Sequence, residues 1–284
     1  MNFGIIIPAY NEEKSIVLTL QSLVNQSFVP YQIIVVDDGS TDNTAQLVSE
    51  MAVQHPQIQL VQRSEKGEHQ PGAKIVQTFN FGLPYLKKEV NIICKYDADL
   101  VFPANYFEVM NMHYTENQQL GMYGGFCYIK QGDAWVLENL TNKDHLRGAV
   151  KSYRKACFEA IGGLKTAMGW DTADELLARY HGWEVQTNEN LQVKHLRPTG
   201  AGYKNNAKYL QGSVFYRLRY GIVLTLLAAA KLAIRKRSLA LFFDYLRGYL
   251  KAKRERQPYL LSEKEGRWVR NYRWRGIVKK VYKS

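Results

Sequence analysis

Strand-like and helix-like runs alternate without a break over the first hundred residues, and few folds accept that order. FGIIIP (3–8), YQIIVVDD (31–38), IQLVQ (58–62) and VNIICKYD (90–97) are strand candidates. Between them lie EEKSIVLTLQSLVNQ, with Ile16, Leu20, Leu23 and Val24 at helical spacing, then TDNTAQLVSEMAVQH and GAKIVQTFNFGLPYL. Strands separated by helical patterns of about 10–15 residues form βαβ units around a parallel sheet. The strand runs are apolar at nearly every position, which suits strands covered by helices on both faces. The chain therefore predicts an α/β fold, a mostly parallel sheet flanked by helices.

Beyond Gly121 the pattern changes. GMYGGFCYIK reads as a further strand, and GAVKSYRKACFEAIGGL as a strand entering a short helix that stops at Gly162-Gly163. After HLRPTGAGY the chain turns basic and aromatic, which places a boundary near Gly200. Residues 201–284 hold 21 Lys+Arg against 4 Asp+Glu, whereas residues 1–200 hold 17 against 22. A mildly acidic body with a basic appendage points that appendage at a polyanion. Three widely spaced cysteines, Cys94, Cys127 and Cys157, supply neither a disulfide framework nor a paired metal motif. The start, MNFGIIIPAYNEE, lacks the basic leader and long apolar stretch of a secretory signal, so a cytoplasmic location is expected. YGIVLTLLAAAKLAI (220–234) falls short of the roughly 20 apolar residues of a membrane span and contains Lys231.

Three strand candidates end in polar clusters: PAYNEE after the first, DDGSTDNT after the second, DAD after the fourth. In open α/β sheets, ligands bind beyond the carboxyl ends of the strands. Ser40, Thr41 and Asp42 suit helix N-caps, and Glu12 and Glu13 suit a helix N-terminus. A cap needs one such residue, however, and capping leaves the carboxylates at all three ends unexplained. Asp97 and Asp99 alternate on extended backbone and so point to one side. Two carboxylates that close repel unless a cation such as Mg²⁺ or Mn²⁺ holds them.

In this order and at these spacings, IIIPAYNEE, IIVVDDGSTDNT and YDADL resemble the nucleotide-sugar-binding half of glycosyltransferase family 2, whose members have a GT-A fold. The resemblance covers residues 1–200 and implies a catalytic domain there, with a donor-binding half over 1–100 and an acceptor half over 101–200. It implies that Pro8, Ala9, Tyr10 and Glu12 line the base and ribose pocket. Asp38 would sit near the base or ribose, with Asp37 beside it. Asp97 and Asp99 would be the DxD pair that contacts the ribose and holds Mn²⁺ or Mg²⁺ on the donor diphosphate. The implied activity is inverting transfer of a sugar from a nucleotide-diphosphate donor, UDP-sugar foremost, to a glycan or lipid-linked acceptor. A divalent cation suits such a leaving group because it neutralises the developing charge.

The sequence departs from the family at several points. FNFG keeps Asn80 and Gly82 but has Phe79 where the family places Arg, which leaves Lys74 as a candidate phosphate contact beside its reading as a solvated lysine. Leu100 stands where many relatives carry a third acid. GGLKTAMGWDTADELLARYHGW resembles the family's acidic motif and following helix, with Trp170 in place of the customary Glu. An ungapped count from Gly182-Trp183 puts Asp171 on the catalytic base; aligning on Leu176 and Arg179 favours Asp174 or Glu175. Thr172 and Glu175 also read as a capping box, with a helix opening there and Asp171 just ahead of it. His195, in VKHLRPTG, is a candidate near the metal or diphosphate, and Arg197 a weaker one.

Other enzyme classes fit less well. Phosphatases of the haloacid dehalogenase type also use Asp-x-Asp, but need Thr or Gly soon after it, and Leu100, Val101 and Phe102 supply neither. Sugar nucleotidylyltransferases open with a Gly-rich basic loop, unlike PAYNEE. In the tail, 203–282, aromatics and cations interleave as in YRLRYG and GRWVRNYRWRG. Such a stretch grips RNA by stacking, lies at a lipid–water interface, or packs as a helical hairpin on the catalytic domain. IVLTLLAAA and LALFF favour an anionic membrane surface, with no nucleic acid expected. A peripheral enzyme on the cytoplasmic face of a membrane is the expectation; an RNA- or lipid-binding protein with a degenerate catalytic domain is the alternative.

Overall fold

The computed structural model describes residues 1–64, 72–138, 143–198 and 207–282. Strands form where the apolar runs lie: β1 (Phe3–Ala9), β2 (Gln32–Asp37), β3 (Ile58–Gln62) and β4 (Ile92–Tyr96). Helices α1 (Ile16–Val24), α2 (Thr44–Gln54) and α3 (Ala73–Gly82) connect them. The four strands are parallel in the order β3-β2-β1-β4, so their carboxyl ends open on one edge. Successive residues face opposite sides. Ile5, Ile7, Ile33 and Val35 pack with the apolar residues of α1 and α2, whereas Ile6, Ile34 and Val36 pack with Val76 and Phe79 of α3. Each such side chain stabilises the fold by about 1.5–3 kcal/mol when fully buried, and every position of β1 and β2 except the half-buried Pro8 is closed to water.

The rest of the chain extends the sheet from the edge of β4. β8 (Val150–Arg154) pairs antiparallel with β4, and the order continues through β6 (Leu120–Gln131) and β9 (Glu184–His195) to the two-residue β5 (Leu100–Val101). β7 (Ala134–Leu137) hangs on β6. Helices α4 (Tyr106–Glu116), α5 (Lys155–Ala160) and α6 (Trp170–Tyr180) cover this half. One correction concerns α6, which begins at Trp170 and not at Thr172. Gly169, at φ +86°, turns the chain into the helix, so Asp171 lies in its first turn and Thr172 is no cap.

The expected boundary near Gly200 lies outside the described residues. Four helices follow: α7 (Ala207–Arg217), α8 (Gly221–Arg235), α9 (Leu239–Arg254) and α10 (Glu263–Val281). Val214, Tyr245 and Val269 share one apolar core with Phe79 of α3 and Leu176 of α6. No helix among the described residues is long and apolar enough to cross a membrane.

Helices α7 and α9 cross with their backbones in contact. A Cβ on Gly212 would lie 1.9 Å from the Tyr245 carbonyl oxygen, and one on Gly248 would lie 2.0 Å from that of Tyr209. Neither obstacle is a flexible side chain, so the helices must separate to admit any larger residue. Gly212→Ala and Gly248→Ala are each expected to destabilise the chain by about 3 kcal/mol, read from the urea midpoint at constant slope.

Candidate active site

The loops after β1 and β2 are laced to each other. The Asn11 amide donates to Ser40 Oγ at 2.9 Å, the Thr41 amide to Asn11 Oδ1 at 2.8 Å, and the Glu12 amide to Thr44 Oγ1 at 2.8 Å. Polar residues that also suit helix caps thus join the two loops. Asp37 is buried and accepts from the Ser40 amide at 3.3 Å. Asp38, also buried, lies 3.1 Å from Lys74 Nζ and 3.4 Å from Arg63 Nη1. The Lys74 ammonium sits 4.5 Å from the centre of the Tyr10 ring, which is 48% exposed. Pro8 and Ala9 end β1 beneath this group, half-buried and buried. Lys74, a phosphate candidate by sequence, is therefore engaged with Asp38 and Tyr10.

At the end of β4 the turn carrying Asp97 and Asp99 is pinned by a side chain of α1. Thr19 Oγ1 donates to the Ala98 carbonyl at 2.8 Å and accepts from the Leu100 amide at 3.1 Å. β5 then pairs with β9 so that Leu100 lies opposite His195, and the Leu196 amide donates to the Asp99 carbonyl at 2.9 Å. This pairing brings His195 to the two aspartates. One ligand atom from each of Asp97, Asp99 and His195 lies within 4.8 Å of the others.

The charges around this cluster are closely matched. Asp99 is buried with His195 Nε2 3.4 Å from Oδ1 and Arg197 Nε donating to Oδ2 at 3.0 Å. Burial alone would raise its pKa, but His195 and Arg197 hold it below the usual carboxylate range. Arg197 also pairs with Glu12, whose carboxyl is raised by burial against the opposing pull of Ser15 and Arg197. His195 Nδ1 lies 3.2 Å from Glu138, which in turn pairs with Arg147 at 2.7 Å. Burial lowers the imidazole pKa, yet Asp99 and Glu138 outweigh it and push the value up to about 9. Two carboxylates and an imidazole form a donor set that could hold a divalent cation, and the Glu138–His195 contact is the support that metal-binding histidines require. Asp97 is tied to the buried Lys95.

The acidic residues of α6 differ sharply in access. Asp171 is 36% exposed, with His145 Nε2 3.9 Å away. Asp174 is 1% exposed and receives Lys151 Nζ at 2.8 Å and the Tyr153 hydroxyl at 2.5 Å. Glu175, also buried, accepts from the Leu146 amide at 2.8 Å and lies 2.9 Å from His145 Nδ1. Burial raises the Asp174 pKa to about 6 against the pull of Lys151. Glu175, despite the same burial, is held low by Lys151 and His145. Gly148 joins the two groups: its carbonyl accepts from Lys95 at 3.0 Å, and a Cβ there would lie 3.5 Å from that of Asp171.

The structure thus gathers Glu12, Asp97, Asp99, His195 and Arg197 into one cluster and Tyr10, Asp38 and Lys74 into a second, with Asp171 across Gly148. Thr19, Lys95, Glu138, His145 and Lys151 escaped the reading of the sequence. Two of them left a signal: a lysine inside a buried strand, as in NIICKYD and GAVKSYR, requires a partner anion. Lys151 is fully buried, and burial lowers its pKa less than Asp174 and Glu175 raise it. Lys151→Met is expected to cost about 3–5 kcal/mol in chemical denaturation by stranding buried carboxylate, with Asp174→Asn in the same chain restoring part of the loss.

The family model described as Glycosyl transferase family 2 matches residues 4–160. An uncharacterised glycosyltransferase of Mycoplasma pneumoniae is 28% identical over 177 residues, which is 57% of this chain and 56% of that protein. The chain spans about half the length of the curated relatives it matches. Among solved structures, mannosyltransferase PcManGT of Pyrobaculum calidifontis, in complex with GDP-Man and Mn²⁺, aligns with a TM-score of 0.56 at 18% identity over 76% of this chain and 62% of that one. TarS 1–349 of S. aureus in complex with UDP aligns with a TM-score of 0.56 at 18% identity over 77% of this chain and 64% of that one. The α/β architecture is that of these GT-A enzymes, and the match across more than half of the sequence makes the chain a member of glycosyl transferase family 2.

Proposed function

We propose that the chain transfers a sugar from a nucleotide-diphosphate donor, a UDP-sugar foremost, to a glycan or lipid-linked acceptor by one inverting displacement. The observation that carries this reading is the approach of Asp97, Asp99 and His195 within 4.8 Å at the carboxyl edge of the sheet. That edge is where open α/β sheets bind ligands. Support for the donor class comes from the two solved neighbours, which hold GDP-Man with Mn²⁺ and UDP. Tyr10, exposed and backed by Lys74, offers a ring face to a nucleobase, and Asp38 offers acceptor oxygens to ribose hydroxyls. Pro8, Ala9 and Asp37 form the floor of that pocket. Residues 1–200 act as the catalytic part, and 201–284 hold it at an anionic membrane surface.

Asp97 and Asp99 would hold Mn²⁺ or Mg²⁺, with His195 ligating through Nε2 while Nδ1 donates to Glu138. A cation held by these residues would supply positive charge against that of the departing diphosphate. Arg197, which spans Glu12 and Asp99, is placed to release one carboxylate and contact a phosphate oxygen. Asp171 is the general base that takes the proton of the acceptor hydroxyl, because it is the acid of α6 open to an incoming acceptor. Asp174 has no such opening and serves Lys151 and Tyr153.

Two experiments test this. Asp99→Asn should keep the far-UV circular dichroism of the parent while turnover of a UDP-sugar falls by orders of magnitude. Calorimetry showing UDP binding and turnover unchanged in EDTA would sink the metal assignment. Asp171→Asn should lower kcat about 10²–10⁴-fold with donor affinity nearly unchanged. A folded Asp174→Asn chain that is inactive, beside an active Asp171→Asn chain, would move the base one helical turn along α6.

A further inference from the structure

We propose that the α8–α9 hairpin is the face on which the chain lies against an anionic bilayer, its outer side chains entering the headgroup boundary and three cations of α9 gripping lipid phosphates. This rests on the reading of the C-terminal helices as membrane-seeking, and it names the surface. Helix α8 buries Leu224, Thr225, Ala229 and Ala233, yet its other side is apolar as well. Ile222, Val223, Leu226, Leu227 and Ile234 are all exposed. A helix apolar on both sides is normally buried on both, and here one side is left facing outward.

Helix α9 repeats the arrangement and adds charge. Tyr245, Gly248, Tyr249 and Ala252 are buried, while Leu239, Phe243 and Leu250 stand exposed at helical spacing on the other side. The same outward side carries Arg247, Lys251 and Arg254. With Tyr209, Leu210 and Leu250 these cations line a groove of about 720 Å³ between α7 and α9. Among the described residues no acid lines the groove. Arg247 and Lys251 are 71% and 64% exposed, and their nearest carboxylates, Asp244 and Glu255, stand 4.0 and 3.8 Å off. A lipid phosphodiester reaching this groove meets three cations at once, with leucines and a tyrosine beneath for the glycerol backbone and upper acyl chains. This is the chemistry of an interfacial helix pair: an apolar outer stripe, flanking lysines and arginines, and aromatic rings at headgroup level. RNA offers the same phosphates but nothing for the aliphatic stripe of α8 to enter.

The test uses the full chain and sedimentation with vesicles of phosphatidylcholine alone or mixed with phosphatidylglycerol. The parent should pellet with the mixed vesicles at low salt and stay in solution with the neutral ones. Arg247→Glu, Lys251→Glu and Arg254→Glu combined should weaken that binding at least tenfold. The same charge change on α10, through Lys264→Glu, Arg267→Glu and Arg275→Glu, should leave most of it. Leu227→Ser with Ile234→Ser should pellet at low salt but be washed off by high salt sooner than the parent, because apolar insertion resists screening. A parent that ignores anionic vesicles overturns the membrane reading itself. A parent that binds while the α9 variant binds equally well, or while the α10 variant loses as much, overturns the choice of face. Tighter binding to single-stranded RNA than to vesicles, lost in the α9 variant, overturns the lipid as occupant.

Discussion

Asp99 is a buried carboxylate at the end of a buried strand, and the second half of the chain is disposed around its charge. Left without a partner it would cost several kcal/mol, more than most single contacts return. The partners arrive from β9 and the turn after it: His195 lies opposite Leu100, and Arg197, 98 positions away in sequence, reaches the other oxygen. The polar composition of EVQTNENLQVKH makes sense on this view. β9 contributes little to the core beyond Leu191 and Val193, and its work is to carry cations to an anion. On the proposed function, a divalent cation and a diphosphate would enter this site by exchange, the cation displacing the proton at His195 Nε2 and the diphosphate taking over the Arg197 guanidinium.

A second balance lies directly behind the first. Lys95 and Lys151 face each other across the antiparallel β4–β8 pair, an arrangement that like charges disfavour. Each leans a different way. Lys95 pairs with Asp97 and Lys151 with Asp174, and both ammonium groups lie about 5.5 Å from the Trp170 ring, at 5.5 and 5.6 Å. Trp170, which the ungapped count from Gly182-Trp183 sets where the family resemblance implies Glu, presents a π face to two cations already supplied with anions. A carboxylate at that position would add negative charge between Asp97 and Asp174; the indole fills the space and adds none.

The first hundred residues were legible because their physics is local. Apolar runs such as IIIPA and IIVV lead into polar stretches that begin with Tyr10 and Asp37, and the helices between them carry a clear apolar stripe, so β1 to β4 and α1 to α3 fall where periodicity puts them. In the second half β6, β8 and α5 also lie where the sequence puts them, but the strands that complete the site were harder to read, for a physical reason. β5 is two residues long, and β9 alternates polar residues because only its last stretch is buried. Thr19 reads as an ordinary position in an amphipathic helix, yet its hydroxyl pins the Asp97–Asp99 turn through two hydrogen bonds to residues about eighty positions away, at separations of 79 and 81. The start of α6 was misread because Gly169, in a left-handed conformation, does what a capping box at Thr172 would have done.

That glycine ties the C-terminal helices to the chemistry. A Cβ on Gly169 would lie 2.5 Å from Val214 Cγ1, so the turn that starts α6 is packed against the middle of α7. α7 is fixed in turn by its backbone crossing with α9 at Gly212 and Gly248. Asp171, two residues beyond Gly169, therefore takes its position from a stack that runs α9, α7, α6. Along α7 the step from Val214 to Tyr209, at the rim of the basic groove, is five residues, or about 7.5 Å at the rise of an α-helix. On the proposed function, a chain resting on lipid through α8 and α9 would carry Asp171 on the same stack of helices that meets the surface, so that the acid proposed as base and the lipid-facing helices move as one body.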